Sequence, residues 1–228
     1  MRLKYAKKLV IILGLLSFSQ FTVADSYEDY KNDKSSENAF LYLYQVATHP
    51  RCANCHGVIE DGVHKPTIGD ERRPHPMNIT AANNLRLMVK DGKFVQTEGQ
   101  QALNCRSCHQ DSNGSLKNMP PGAANDLMPG FIWHMPPLTM AIEKDLSEKE
   151  LCENWLNPAK NSFLAARGGR DNMDLFEKEF VHHIKDDPLI IWSWTPGEGR
   201  TPAPGTHKDA VEAIKIWIEA NAKCPNSN

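Results

Sequence analysis

The sequence predicts a mostly α-helical fold interrupted by long proline- and glycine-rich loops. Three observations lead there. Apolar residues recur at helical spacing in several stretches, as in Phe40, Leu41, Tyr44 and Ala47. No convincing alternation of apolar and polar residues marks a strand. Segments such as "PPGAAND" and "MPGFIWHMPP" contain prolines that exclude regular helix or central strand. With 228 residues, 40% of them hydrophobic, the chain suffices for one large domain or two small ones.

The first 24 residues differ in kind from the rest. Arg2, Lys4, Lys7 and Lys8 make a basic start, Leu9 to Phe18 is an apolar run, and Thr22-Val23-Ala24 offers small residues before Asp25. This is the layout of a secretory signal peptide over residues 1–24, and the run is short for a membrane span. The alternative is an uncleaved anchor. The expected location is the periplasm, with no stable membrane span after cleavage.

Residues 25–36 are polar and are expected to be disordered. A helix is predicted from Ser36 to His49-Pro50. Residues 57–79 read as loop, with Gly57, Gly62, Pro66, Gly69, Pro74 and Pro76. A short helix is predicted from Ala81 to Lys90, capped by Thr80 and ended by Asp91-Gly92. Residues 110–140 read as loop again, dense in Pro, Gly, Asn and Met. Ser147-x-x-Glu150 is a capping box opening a helix to about Leu156. Residues 171–185 form another helix, with Leu175, Phe176, Phe180 and Ile184 on one face and Pro188 beyond. After the loop "WSWTPGEGRTPAPGT", Thr206 opens a final helix with Val211, Ile214, Trp217 and Ile218 inward.

Charge narrows the partners. Four basic residues and no acidic one precede Asp25, so residues 25–228 hold 22 basic and 28 acidic residues, a net charge of −6. Nucleic acid, which requires a basic face, is excluded as a partner. A partner with a positive docking patch is compatible.

The cysteines point to the chemistry. Four of the six lie in "CANCHG" and "CRSCHQ", each reading Cys-x-x-Cys-His. This is the attachment motif of c-type haem: two thiols add to the haem vinyl groups and the following histidine binds the iron. Cys52, Cys55 and His56 would hold one haem, and Cys105, Cys108 and His109 a second, so the expected cofactors are two covalently bound haems c. A four-cysteine zinc site would not need a histidine after both pairs. A thioredoxin-type site needs a strand–helix context that neither motif has. Plain disulfides leave both histidines unexplained. Cys152 and Cys224 have no histidine behind them and read as a disulfide tying the last helix to the body, against the alternative of two buried thiols.

A six-coordinate haem needs a second axial ligand, usually His or Met. A faint repeat supplies candidates: "HPMNIT" begins 19 residues after His56, and "HMPPLT" begins 25 after His109. The distal candidates are therefore His75 and Met77 for the first haem, and His134 and Met135 for the second. Met119, Met128 and Met140 are further methionines nearby, while His64, His182, His183 and His207 read as surface or otherwise satisfied side chains. Residues 37–144 thus form a dihaem region of two haem-packing lobes, about 37–98 and 99–144, with a helical part over 145–228 packed on it.

The stretches "HPRCANCHG", "RPHPMNI", "CRSCH", "PPGAAN", "WHMPP", "LCENWLNPAKN", "GGRD", "DPLIIWSWTPGEGRTPAPG" and the terminal "CP" span about residues 40–225. Together they resemble the exported dihaem cytochromes c catalogued as "isoquinoline 1-oxidoreductase subunit". The resemblance implies periplasmic electron transfer beside a molybdenum hydroxylase or dehydrogenase. It assigns both Cys-x-x-Cys-His motifs to haem and places His75, Met77 and His134 in matching segments. It puts leucine where this chain has Met135, which favours His134 at the second haem, and makes residues 79–99 less regular than the helix drawn above. The chain lacks the molybdopterin and iron–sulfur apparatus of such an enzyme, so the catalogue name points to a partner.

Three functions compete. A soluble electron carrier requires both irons to be six-coordinate. A dihaem enzyme, peroxidase-like or sulfur-oxidising, requires one open iron and an acid/base group, and no motif fixes such a group. A haem sensor requires a signalling domain or tether, and neither is visible. The carrier is the preferred reading.

Overall fold

The computed structural model describes residues 25–80, 86–90, 93–97, 105–116, 119–123, 133, 135–136, 138–161 and 173–225, with backbone alone at 86–90, 93–97, 106, 138 and 173–179. The segment read as a signal peptide lies outside the described residues, as does His134.

The chain opens with α1 (Ser26–Asn32), whose N-cap Asp25 accepts a hydrogen bond from the Tyr27 amide. This corrects the expectation of disorder over residues 25–36. Tyrosine burial is the reason: Tyr30 is fully buried and stacks on Tyr42 at 5.2 Å, while the Tyr27 hydroxyl donates to Asp209 over 2.8 Å. The polar composition of the segment conceals these anchors.

α2 (Ser36–Thr48) begins at the Ser35 cap and buries Ala39, Phe40, Tyr42, Leu43, Val46 and Ala47. The buried stripe is turned relative to the predicted one, leaving Leu41 and Tyr44 half-buried. His49 ends α2 and its side chain caps α3 (Pro50–His56), with Pro50 in the first turn, where a missing N–H costs nothing. The proline read as a stop therefore also starts the next helix.

Three antiparallel hairpins follow: β1 (Val58–Glu60) with β2 (Val63–Lys65), β3 (Thr67–Ile68) with β4 (Arg73–Pro74), and β5 (Arg86–Lys90) with β6 (Lys93–Thr97). They correct two expectations, that no strand is present and that a helix covers Ala81–Lys90. Arg86–Lys90 is a strand, and the Lys90↔Lys93 pairing leaves Asp91-Gly92 between the strands, the strongest two-residue hairpin signal.

The carboxy-terminal helices agree with the sequence reading. α4 (Glu148–Trp155) opens with the predicted Ser147/Glu150 capping box. α5 (Met173–Asp186) is followed by α6 (Pro188–Trp192), capped by Asp187. α7 (His207–Glu219) starts at Thr206 and buries Ala210, Ala213, Ile214, Trp217 and Ile218, with Val211 only half-buried.

The core joins α2, α4, α5 and α7. Phe40 packs on Trp217 at 5.2 Å and on Trp155 at 5.8 Å, and Trp155 meets Phe180 edge-on at 4.9 Å. The disulfide Cys152–Cys224, spanning 72 residues, closes this core as predicted. By the chain-entropy model such a loop contributes about 4 kcal/mol. α2 therefore shares a conventional core with residues beyond 145 instead of belonging to a separate lobe. Mostly helical with few short strands is the architecture observed. Among the described residues no helix is long and apolar enough to cross a membrane.

Candidate functional site

The first motif sits on α3. Cys52 and Cys55 are three residues apart on this short helix, so both thiols face one side. Gly57 ends the helix at φ +66°, with its N–H donating to the Ala53 carbonyl over 2.8 Å. A β-carbon there would lie 2.2 Å from the Lys65 carbonyl oxygen, so only glycine lets β2 close against the end of α3. The Arg72 guanidinium is buried beneath and donates to the carbonyls of Ala53, Gly57 and Ile142.

The second motif sits on a single 3₁₀ turn, Cys105–Ser107. The amides of Cys108 and His109 both donate to the Cys105 carbonyl, at 3.1 and 2.8 Å. None of the four motif cysteines is in a disulfide. Among the described residues no three His, Cys, Asp or Glu side chains converge as a cage for a bare metal ion, the geometry a four-cysteine zinc site needs.

The imidazoles are oriented by the backbone. His56 Nδ1 lies 2.6 Å from the Met140 carbonyl and His109 Nδ1 lies 2.8 Å from the Pro121 carbonyl. A carbonyl only accepts, so each Nδ1 carries the proton and each Nε2 presents its lone pair. This tautomer and this backbone contact are what a metal-ligating histidine requires. Burial pushes His56 down to about 4 and also lowers His109, so both rings are neutral at pH 7. Burial likewise pushes the Cys52 and Cys55 thiols up to about 12. Of the other histidines, His64 Nε2 lies 2.6 Å from the His56 carbonyl and His207 Nε2 2.8 Å from the Ile184 carbonyl, so each has the backbone partner expected of a satisfied side chain. His182 is exposed and pairs with Asp186.

A small, half-open cleft of about 50 Å³ lies against the first motif, lined by Arg51, Cys52, Cys55, His56, Pro136 and His183, among others. His183 is satisfied as expected, with Nδ1 3.4 Å from the Asp187 carboxylate, and both residues also line the cleft, which the sequence reading did not foresee. The sequence signal was the i,i+4 His/Asp spacing in "HIKDD".

Burial is the main cause that raises Cys55, and the charge of Cys105 adds to it, so the second motif acts electrostatically on the first. One segment touches both sites. Trp133 stacks on His109 at 4.1 Å, Pro136 lines the cleft beside His56, and the Met140 carbonyl holds the His56 ring.

The predicted distal ligands fare unequally. His75 leaves β4 with its ring centre 6.3 Å from that of His109 in the second motif, whereas the sequence spacing offered it to the first. The β3–β4 hairpin packs on α3 through Asn54, which bonds Thr67 and Gly69, and holds His75 through its amide to the Pro66 carbonyl. Met77 is 69% exposed and faces solvent. Met135 is buried, with only its neighbour Pro136 in the cleft.

The residues suit haem in one further respect. Arg51 Nε and Trp133 Nε1 are buried N–H donors with no protein acceptor among the described residues, one lining the first cleft and one against His109. Carboxylate groups of a bound macrocycle are acceptors of the kind both lack. Comparison with family models, curated proteins and solved structures finds no match for this chain.

Proposed function

We propose that the chain is a dihaem c-type cytochrome that moves single electrons between redox partners in the periplasm. The observation that carries the reading is the pair of Cys-x-x-Cys-His motifs, each with its histidine held as the Nδ1–H tautomer by a backbone carbonyl. Bound haem supplies an iron that gains and releases one electron. The chain's own residues supply the rest. Cys52 and Cys55, and Cys105 and Cys108, anchor the two macrocycles, while His56 and His109 present Nε2 to the irons. His183, steadied by Asp187, stands across the first cleft as a candidate sixth ligand. Arg51, one side-chain nitrogen of which is 2.8 Å from Asp70, keeps a donor turned to the same cleft.

The segment that carries Trp133 to His109 and the Met140 carbonyl to His56 supports transfer from one haem to the other inside one small body. A net charge of −6 over residues 25–228 suits partners with a positive docking patch, and the family resemblance makes a molybdenum hydroxylase or dehydrogenase the partner to try first.

Carbon monoxide titration of the reduced, haem-loaded protein tests the carrier reading. The expected result is no spectral change at either haem. Gas binding at one haem would transfer the assignment to a dihaem enzyme with an open iron.

A further inference from the structure

The pairing of His75 with His109 does not follow the order of the chain. His75 belongs by sequence to the loop after the first motif, 19 residues beyond His56, yet its ring lies beside the second motif. The spacing is informative. An imidazole nitrogen binds a first-row metal at about 2.0 Å with the ring centre about 1 Å behind it, so two imidazoles on opposite sides of one metal have centres about 6 Å apart. The centres of His75 and His109 are 6.3 Å apart. The stacking partner of His109 is Trp133, at 4.1 Å and 25° between planes. The 43° between the two planes is compatible with trans ligation, because each ring rotates independently about the shared axis.

The tautomers agree. His75 Nδ1 lies 2.8 Å from the Pro76 carbonyl, so its proton is on Nδ1 and its lone pair is on Nε2, the same state as His109. The ring is held by that one local contact, and the backbone that carries it by the His75 amide donating to the Pro66 carbonyl over 3.2 Å. The strained turn after it, with Met77 at φ +63° and Asn78 at φ +50°, carries the methionine away into solvent.

We infer that His75 is the sixth ligand of the iron held by Cys105, Cys108 and His109, so that the loop following the first haem motif closes the second haem site. The inference rests on the dihaem reading and deepens it. It makes the second haem bis-histidine, low in potential relative to a His/Met site and inert to small ligands. It also ties the two sites together mechanically through the β3–β4 hairpin.

The test uses the haem-loaded protein and the variants His75→Gly, His75→Met and His134→Gly. Covalent haem is counted by mass spectrometry, and ferric spin state is read by electron paramagnetic resonance. The expected result is two haems in every variant, with one haem of His75→Gly turned high-spin and open to carbon monoxide when reduced. Added imidazole should return that haem to low spin, which a purely structural role would not allow. His75→Met should stay low-spin with a raised potential. Two haems with an unchanged spectrum in His75→Gly, or the high-spin signal appearing in His134→Gly instead, overturn the ligand assignment alone. A wild-type protein without covalent haem overturns the dihaem reading as well.

Discussion

His56 Nδ1 lies 2.6 Å from the carbonyl oxygen of Met140, 84 residues further along the chain. A ring in the attachment helix is thus oriented by the segment that also carries Trp133 to His109. The contact fixes the tautomer at His56 and couples the two motifs through seven peptide units between Trp133 and Met140.

Replacing His56 with Ala removes the ligand nitrogen and strands the Met140 carbonyl, a loss of about 1–3 kcal/mol. The thioether anchors at Cys52 and Cys55 remain. We expect two covalent haems by mass and loss of the low-spin ferric signal from one of them, with the other unchanged.

Gly57→Ala should be severe for so small a change. The new methyl would meet the Lys65 carbonyl at 2.2 Å, and the backbone at φ +66° is strained for alanine. Strain alone costs about 1–3 kcal/mol, and the backbone clash adds to it. A thermal melt should fall by several degrees, and a yield of the first haem below that of the second would locate the damage at α3. An unchanged melt would contradict the close approach of β2 to the helix end.

Arg72→Met tests the support beneath the first motif. The guanidinium donates to the carbonyls of Ala53, Gly57 and Ile142 at the end of α3. Hydrogen bonds from a charged group contribute about 1.5–3 kcal/mol each and do not simply add, so a loss near 3 kcal/mol is expected in denaturant unfolding. The spectrum of the haem on His56 should shift while that on His109 does not.

The double variant Cys152→Ser/Cys224→Ser opens the link between α4 and the chain end. Removal of such a bridge costs about 2–5 kcal/mol. Guanidinium unfolding should move to lower concentration by that amount, with both haems still attached, because the disulfide lies on the helical core and not on either motif.

Much of this was legible in the chain. α2, α4, α5 and α7 announce themselves through helical periodicity and side-chain caps at Ser35, Ser147 and Thr206, because both signals are local. The Cys152–Cys224 pairing follows once the other four cysteines are assigned to motifs. The hairpins between residues 58 and 74 escape notice because strands of two or three residues are too short to show alternation. Asp91-Gly92 is different: the hairpin signal was present in the sequence, and a helix stop uses the same residues. The neighbours of the two motif histidines were read only in part: His75 was named a candidate, but for the first haem, and His183 was not singled out. A hairpin brings His75 to His109 and a packed helix brings His183 to the cleft beside His56, and neither placement is encoded in spacing along the chain.

The claim beneath all of these is that two haems are covalently bound. Intact mass spectrometry of the protein produced in a host that attaches haem c, beside a Cys52→Ala/Cys55→Ala variant, tests it most directly. The account predicts the mass of two haems on the wild type and of one on the variant. A wild-type mass equal to the bare polypeptide, with both motifs intact, would contradict it.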